Sequence, residues 1–277
     1  MVIVALEQGQ PPGRRLVDDD LAVRFLPAPV RWLLTAIPRN LLRRLAMTAM
    51  EREGPGLWAS LTCRKRYIAD KVSESLDDVD AVVVLGAGFD TLAYRLARKT
   101  SVPIFEVDQP VNIARKTSAV QRALGAQPSS VRLVPLNFER DNVLDVLTGD
   151  GYRPDWRTFF VWEAVTQYLT PEAVHATLER LRPVASGSRM VFTYVRKDFI
   201  DGLNRYGADA LYRRFRQRQH VWEFGIPPAE VATFLSGHGW RLIEQAGPAL
   251  IVQRYVTPTG RNLLASPIEW SAYAEKI

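Results

Sequence analysis

From residue 81 onward, short apolar runs alternate with amphipathic segments, and this alternation constrains the fold more than any other feature. It is typical of βαβ units and of a mainly parallel sheet. The run at 81–85 is apolar throughout, which favours a strand buried on both faces. The predicted strands cover residues 81–85, 102–107, 131–136, 158–162 and 189–195. The predicted helices cover residues 90–99, 110–124 and 142–147, followed by one that starts at Pro171 with Thr170 as its N-cap.

The segment before residue 77 has a different pattern. Apolar residues recur at helical spacing over 31–50 and 57–76, among many arginines. These two segments predict helices that pack on the sheet. We therefore expect residues 1–76 to form an N-terminal helical cap that belongs to the same domain as the core.

Residues 77–277 form the predicted core. A polar and aromatic stretch at about 196–226 interrupts the alternation, and it predicts a helical insert. After a further helix from Pro227, the runs 240–244 and 249–254 predict a closing hairpin whose last strand is antiparallel. The chain is thus predicted to be an α/β protein with a Rossmann-like sheet of seven strands, mostly parallel.

The composition limits the classes of site and compartment. A single cysteine, Cys63, excludes an internal disulfide, and three scattered histidines do not have metal-ligand spacing, so no metal is predicted. The first ten residues lack a basic leader and include Glu7, which argues against a signal peptide. No apolar run approaches the roughly 20 residues that cross a bilayer. These features predict a soluble, cytoplasmic protein with no membrane partner.

The chain is basic, with a formal net charge of +6. A positive field attracts anions such as nucleic acids, and the arginine cluster at 213–218 keeps a non-enzymatic nucleic-acid-binding protein open as an alternative. The basic residues lie in separate clusters, however, and clusters of this kind are more often solvated or structural. The favoured expectation is that nucleic acid is not a partner.

A glycine-containing turn, Leu-Gly-Ala-Gly-Phe-Asp-Thr at 85–91, follows the first predicted strand. In open α/β sheets this turn is where a nucleotide-like ligand lies, and glycine lets the backbone approach it. A dinucleotide fingerprint has a third small residue where this chain has Asp90 and Thr91. A carboxylate would repel a diphosphate but attract the sulfonium and ammonium groups of S-adenosylmethionine. The turn favours that cofactor, and an NAD(P)-dependent oxidoreductase remains an alternative.

Two carboxylates, Glu106 and Asp108, end the second predicted strand about 20 residues beyond the glycines, where ribose hydroxyls are bound in such folds. Residues two apart in a strand face the same side. Both carboxylates are therefore expected to point toward the ligand crevice.

Several motifs in order make the chain similar to the leucine carboxyl methyltransferase family, including its bacterial polyketide O-methyltransferase branch. They are Thr-Cys-Arg-Lys-Arg at 62–66, the turn at 85–91 with Tyr-Arg-Leu at 94–96, Phe-Glu-Val-Asp-Gln-Pro at 105–110, Trp-Glu at 162–163 and Tyr-Leu-Thr-Pro-Glu at 168–172. The resemblance covers about residues 14 to 277, including Arg254 and Tyr255. It implies a class I methyltransferase sheet and S-adenosylmethionine as the cofactor.

The resemblance also implies roles for individual residues. Arg64 would pair with the carboxylate of the cofactor, Asp108 would hold its ribose, and Glu163 would meet its amino group. The family often has Asp-Leu at the adenine, where this chain has Asn137 and Phe138. A lysine that some members carry near the N-terminus has no secure counterpart, and Arg14 or Arg15 is the candidate substitute. The full predicted cofactor set is Arg64, Gly86, Ala87, Gly88, Asp90, Asp108, Gln109, Asn137, Phe138 and Glu163.

The predicted reaction is in-line methyl transfer to a carboxylate or hydroxyl oxygen of a small molecule. A carboxylate acceptor is already ionised at neutral pH, so no catalytic histidine is required. Aromatic residues in the cap and insert suggest a partly apolar acid or phenol as the acceptor. The candidate acceptor-site residues are Tyr168, Tyr194, Arg196, Tyr206 and His220.

Overall fold

The computed structural model covers residues 1–277 and describes every side chain except that of residue 35. Its centre is a seven-stranded sheet with the order β3-β2-β1-β4-β5-β7-β6. The strands are β1 (Ala81–Leu85), β2 (Ile104–Asp108), β3 (Val131–Pro135), β4 (Thr158–Trp162), β5 (Arg189–Val195), β6 (Trp240–Ala246) and β7 (Glu269–Lys276). β1 to β5 pair in parallel, whereas β7 runs antiparallel to both β5 and β6. The predicted sheet of seven strands with an antiparallel last strand is confirmed.

The strand order reverses between β1 and β4. The chain moves outward from β1 through β2 to β3 and then returns to place β4 on the other side of β1. In open α/β sheets, the crevice for a ligand lies outside the carboxyl ends of the strands at such a switch point. The fold therefore places a ligand site at the ends of β1 and β4.

Both faces of the sheet are covered, which explains the continuous apolar run of β1. Val82 and Val84 pack into one buried apolar cluster, and Val83 and Leu85 pack into the cluster on the opposite face. Because strand side chains alternate, only a strand covered on both faces needs apolar residues at every position.

Four helices precede the sheet, and they are α1 (Val2–Glu7), α2 (Ala28–Ala36), α3 (Arg39–Glu53) and α4 (Leu57–Ser73). The periodicity over 31–50 predicts one helix, but the structure has two, separated at Ile37 and Pro38. Ile37 is extended, with φ −116° and ψ 140°, because the proline ring disfavours a helical conformation for the residue before it. The segment 57–76 is helical as far as Ser73.

The helices between the parallel strands follow the predicted pattern. They are α5 (Leu92–Leu96), α6 (Pro110–Leu124), α7 (Val143–Gly149) and α8 (Pro171–Arg180). α8 begins as predicted, with the Thr170 hydroxyl accepting a hydrogen bond from the backbone N–H of Ala173 at 3.2 Å. α5 is shorter than the predicted 90–99, because the Asp90 carboxylate accepts the N–H of Leu92 and so belongs to the turn before the helix.

The predicted insert at about 196–226 contains α9 (Lys197–Ile200), α10 (Asp209–Tyr212) and a π-helical segment, Arg213–Arg218. It has an apolar cluster of its own, which includes Phe199, Leu211 and Trp222. α11 (Val231–Gly237) then leads into β6.

The predicted strand at 249–254 is wrong. These residues are helical, in α12 (Pro248–Ile251) and a π-helical segment, Val252–Val256. Pro248 occupies a first-turn position of α12, where a proline is favoured. The antiparallel last strand is β7, at Glu269–Lys276, and it lies between β5 and β6 instead of forming a hairpin at the sheet edge. The charged residues of β7 interrupt its apolar pattern, so the sequence does not predict this strand.

Candidate functional site

A cavity of about 470 Å³ lies at the carboxyl ends of β1 and β4, where the switch point places a ligand site. The sheet contributes the end of β1, the glycine turn and the residues after β4. The first residues of the chain and a segment before α2 complete the apolar part of the wall. The lining residues are Met1, Val2, Phe25, Leu26, Pro27, Arg64, Lys65, Val84, Leu85, Gly86, Ala87, Phe89, Asp90, Leu92, Val161, Glu163 and Ala164.

The glycine turn needs glycine for steric reasons as well as for its backbone conformation. Gly86 has a φ of +71°, and a Cβ at this position would clash with Cγ2 of Val165. The N–H groups of Gly86 and Ala87 both donate to the carbonyl of Val107, at 2.7 and 3.1 Å. The turn is thus held against β2, and its open side faces the cavity.

Asp108, at the end of β2, is bonded to the glycine turn. One carboxylate oxygen accepts the N–H of Gly88 at 2.6 Å, and the other accepts the N–H of Gln109 at 2.7 Å and Nδ2 of Asn112 at 2.8 Å. A carboxylate offers about four acceptor positions, so one remains for a ligand hydroxyl. The side chain of Gln109 is exposed, and its contribution is this backbone donor.

Glu106 does not share the crevice with Asp108, and the expectation that it would is wrong. It is fully buried, and its carboxylate accepts hydrogen bonds from Nζ of Lys116 at 2.5 Å and from the hydroxyl of Tyr94 at 2.9 Å. Burial raises the pKa of Glu106 to about 6, against the opposing effect of Lys116. The Lys116 ammonium also lies 3.4 Å from the carbonyl of Ala87, so this pair supports the glycine turn from beneath.

Four charged side chains from distant parts of the chain line the cavity, and a fifth, Glu269, is paired with one of them but does not line it. Glu163, directly after β4, accepts from Nε of Arg64 at 2.8 Å and from Nζ of Lys65 at 3.1 Å. Arg64 also pairs with Glu269 of β7 at 2.6 Å, and Lys65 pairs with Asp90. Burial alone would raise the pKa of Asp90, but the Lys65 ammonium overrides it and holds that pKa well below its usual range.

The balance of these side chains is three carboxylates against two cations. The N-terminal amino group of Met1 also lies at the cavity, and burial, followed by Lys65, lowers its pKa and so favours its neutral form. S-adenosylmethionine carries a sulfonium, an ammonium and a carboxylate, and therefore a net charge of one positive unit. A buried charge is stable only when it is paired, so a cluster with one excess carboxylate fits a ligand of net positive charge. One buried oxygen of Glu269 has no hydrogen-bond partner in the described part of the chain.

Two members of the charged cluster were not predicted. Lys65 neighbours Arg64 in the sequence motif, but its role is visible only once α4 is packed against the turn. Glu269 lies in the strand that the sequence did not reveal. Neither candidate substitute for the family's lysine lines the cavity, since Arg15 pairs with Asp18 at 2.8 Å and Arg14 is exposed. Lys65 is the lysine that lines this cavity.

The predicted adenine residues lie beyond the cavity wall. Oδ1 of Asn137 accepts the N–H of Glu139 at 3.0 Å, and the ring of Phe138 packs in the apolar cluster beside α7 and α8. Both residues follow β3, one strand farther from the switch point than Asp108. The structure places them near the same sheet edge but not among the lining residues.

The candidate acceptor residues do not line the 470 Å³ cavity either. Tyr194 is buried on β5, and its hydroxyl accepts from Nε2 of Gln245 at 2.6 Å. Tyr168 is 46% exposed, with its ring edge-on to Trp222 at a centroid distance of 6.3 Å. His220 is exposed and has a positive φ of 51°.

Arg196 and Tyr206 form a local cluster around Asp198. The guanidinium of Arg196 donates to both oxygens of Asp198, at 3.1 and 2.8 Å, and lies 5.0 Å from the centre of the Tyr206 ring. The Tyr206 hydroxyl donates to the same carboxylate. Burial, followed by this bond, raises the pKa of Tyr206 to about 12. The structure thus brings these two candidates together, apart from the 470 Å³ cavity.

The described residues also bear on metal binding and on membrane spanning. No group of three or more His, Cys, Asp or Glu side chains among them could hold a metal ion. None of the helices they form has the length and apolar character to cross a membrane.

The sequence is similar to known methyltransferases over most of its length. The family model for leucine carboxyl methyltransferase matches residues 1–182. A protein of Mycobacterium sp. strain KMS, named "putative S-adenosyl-L-methionine-dependent methyltransferase", is 31% identical over 73% of this chain and 67% of its own length. A Mycolicibacterium smegmatis protein with the same name is 30% identical over 85% of this chain and 81% of its own.

Solved structures share the fold. A DUF574 family protein from Streptomyces avermitilis has a TM-score of 0.59 at 16% identity, over 85% of this chain and 90% of that one. Magnesium protoporphyrin IX methyltransferase from Synechocystis, solved with bound SAH, has a TM-score of 0.50 at 10% identity, over 87% and 100% of the two chains. These similarities give no support to the oxidoreductase or the nucleic-acid-binding alternative. The chain belongs to the leucine carboxyl methyltransferase family and is an S-adenosylmethionine-dependent methyltransferase.

Proposed function

We propose that the protein transfers a methyl group to a carboxylate or hydroxyl oxygen of a small, partly apolar molecule. The observation that carries this proposal is the cluster of Arg64, Lys65, Asp90, Glu163 and Glu269, which has one excess negative charge and lies beside the glycine turn. The lining also includes apolar side chains, Phe25, Leu26, Phe89 and Leu92, that suit an acceptor with apolar character.

The cofactor roles follow from the chemistry of these groups. Arg64 and Lys65 would bind the cofactor's carboxylate, and Glu163 and Asp90 would bind its ammonium group. Asp108 would accept a ribose hydroxyl at its remaining acceptor position. Gly86 and Gly88 would bring the backbone close to the ligand, since neither carries a Cβ. Residues 1–76 would act as the cap of the same domain, because Met1, Val2 and the segment 25–27 cover the cavity.

The bound cofactor supplies a methyl group on a sulfonium, which is already activated for displacement. The protein's own task is therefore to hold the acceptor oxygen in line and close to the methyl carbon, and to exclude water. A carboxylate acceptor is ionised near neutral pH and needs no general base. A hydroxyl acceptor would need one, and Tyr168, Tyr194, Arg196, Tyr206 and His220 remain the proposed candidates for acceptor contacts.

Calorimetric titration with S-adenosylmethionine tests the cofactor site. We expect binding by the wild type and at least tenfold weaker binding by Asp108→Asn, because the amide cannot accept as many hydrogen bonds. Asp77→Asn, an exposed aspartate at the opposite end of β1, is the matched control and should bind like the wild type. Absence of wild-type binding would refute the cofactor assignment.

The acceptor is tested separately, with labelled cofactor and a panel of carboxylic acids, phenols and amines. Label on an acid or phenol supports oxygen methylation. Label on amines alone would contradict it while leaving the cofactor site intact.

A further inference from the structure

The segment from residue 21 to residue 50 is cationic and apolar, without any acidic residue. It contains five arginines, Arg24, Arg31, Arg39, Arg43 and Arg44, and neither aspartate nor glutamate. It forms α2 and α3, on the outside of the cap. The chain as a whole has 30 acidic residues among 277, so a run of this length without one is a local charge feature.

Large apolar side chains are exposed on the same two helices. Trp32 is 69% exposed, Leu33 41%, Leu41 50% and Leu45 60%. Leu41 and Leu45 are one helical turn apart and therefore lie on one face of α3. Contiguous exposed apolar residues of this size mark an interaction surface more often than a bare solvent face. We call Trp32, Leu33, Leu41 and Leu45, with Arg44, the α2–α3 face.

The arginines of the segment are not neutralised by the protein. None of the five forms an ion pair with a carboxylate in the described part of the chain, whereas arginines elsewhere, such as Arg189 and Arg254, do. Arg39 and Arg44 are both exposed. Unpaired guanidinium groups beside exposed leucines leave both a charge and an apolar area to be complemented by a partner.

The α2–α3 face is continuous with the cofactor cavity. Leu26 and Pro27 line the cavity, and α2 begins at the next residue, Ala28. A partner bound on this face would therefore lie next to the entrance through which an apolar acceptor would reach the site.

We propose that the α2–α3 face docks on an anionic lipid bilayer surface. The arginines would bind lipid phosphates, and Trp32, Leu41 and Leu45 would enter the interface between headgroups and acyl chains. Tryptophan and leucine on one face with arginines beside them are the pattern of helices that lie in this interface. The sequence alone predicted no membrane partner because no run could span a bilayer, but a helix that lies on the surface needs no spanning length.

Co-sedimentation with vesicles tests the proposal. At low salt the wild type is expected to sediment with phosphatidylglycerol vesicles and to remain in solution with phosphatidylcholine vesicles, and added salt should release it. Arg44→Gln should lower the partition coefficient about fivefold, since each cation near an anionic surface contributes about that factor. Leu41→Ala combined with Leu45→Ala should lower it about tenfold or more.

Two matched variants control for net charge and for general surface hydrophobicity. Arg218→Gln removes one exposed cation from the insert, and Leu203→Ala removes a leucine that is 80% exposed. Both should sediment within about twofold of the wild type, and thermal unfolding confirms that each variant folds.

Three results would overturn the proposal. The first is no sedimentation of the wild type with phosphatidylglycerol at low salt. The second is an equal loss of binding in the Arg218 control, which would indicate attraction by overall charge. The third is a dimer in solution that the Leu41 and Leu45 variant abolishes without any change in vesicle binding, since a second copy would then be the occupant. None of these results depends on cofactor binding.

Discussion

The cavity beside the glycine turn and the insert at 196–226 organise their charged groups in opposite ways. In the cavity, Glu163 binds Arg64 and Lys65, which are 99 and 98 residues away in the sequence, and the side chains leave one carboxylate in excess. In the insert, Arg196, Asp198 and Tyr206 satisfy one another within ten residues and balance their charges. Charged groups that distant elements bring to a cavity can be completed by a charged ligand, whereas the local cluster already balances its own charges.

The largest expected effect comes from the glycine turn. In Gly86→Ala the new Cβ would clash with Val165, and the alanine would have to keep the positive φ of this position. We therefore expect a loss of about 3 kcal/mol in the free energy of unfolding. Gly207→Ala, in the insert, also has a positive φ, but its nearest contact is a proline ring atom at 3.2 Å, and it should lose about 1 to 2 kcal/mol. Chemical denaturation measures both.

A double variant separates the two contributions. Val165→Ala should restore part of the stability lost in Gly86→Ala, because it removes the clashing methyl but not the backbone strain. Equal losses for Gly86→Ala and Gly207→Ala would mean that the turn is no more constrained than the insert.

Neutralising the shared carboxylate should have the next largest effect. In Glu163→Gln the cavity loses its excess negative charge, and we expect the affinity for S-adenosylmethionine to fall about fiftyfold. Asp198→Asn makes the same chemical change in the insert and should alter that affinity less than threefold. Titration calorimetry on both variants compares the regions directly, and similar losses in the two would erase the distinction between them.

Glu106, buried behind the glycine turn, and Asp198, in the insert, should respond to acid in opposite directions. The pKa of Glu106 is raised to about 6 from 4.5, so its contribution to stability is complete below pH 4.5 and is lost as pH rises through about 6. The stability of the wild type relative to Glu106→Gln should therefore fall by about 2 kcal/mol over this window.

Asp198 supplies the opposite sign. Burial would raise its pKa, but Arg196 and Tyr206 hold the pKa below its usual value, so its contribution is present at neutral pH and is lost as pH falls. Unfolding curves across an acid pH series distinguish the two signs. A wild-type stability that moves in parallel with the Glu106→Gln curve would contradict the raised pKa.

The smallest effect is spectroscopic. In Asp198→Asn the Tyr206 hydroxyl loses its anionic acceptor, so its pKa should fall from about 12 toward the ordinary tyrosine value near 10. Ultraviolet titration of tyrosinate, with Tyr206→Phe to identify the signal, measures the change. An unchanged tyrosine titration would show that burial alone raises this pKa.

The position of the cavity at the ends of β1 and β4 could be predicted from the sequence because its determinants are local. A strand end, two glycines and a carboxylate at the end of the next strand have fixed geometric meanings in an α/β sheet, which predicts Gly86 and Asp108, whereas the role of Glu163 is implied by the family resemblance. Glu106 satisfied the same spacing, but Lys116, one helix further along, pairs with it in the core. Pattern alone does not show which of two carboxylates has a buried partner.

The other contacts depend on tertiary packing, which the sequence pattern does not show. The sequence does not predict Glu269, because the charged residues of β7 interrupt the strand pattern. The residues at 249–254 have the apolar composition of a strand, but they lie in the helical segment that begins at Pro248. The acceptor candidates Tyr194, Arg196 and Tyr206 were chosen for residue type, and in the structure each is bonded to a neighbour, Gln245 or Asp198, that residue type does not reveal.

The pairing of Arg64 with Glu269 spans 205 residues and has a consequence for folding. Contacts of such high sequence separation form late, because the loop that they close is long. A chain emerging from the ribosome would have its glycine turn, Asp108 and Glu163 in place well before β7 supplies Glu269. We therefore expect the affinity for the cofactor to reach its full value only after β7 has inserted between β5 and β6. Cofactor binding would then indicate that the whole sheet has formed.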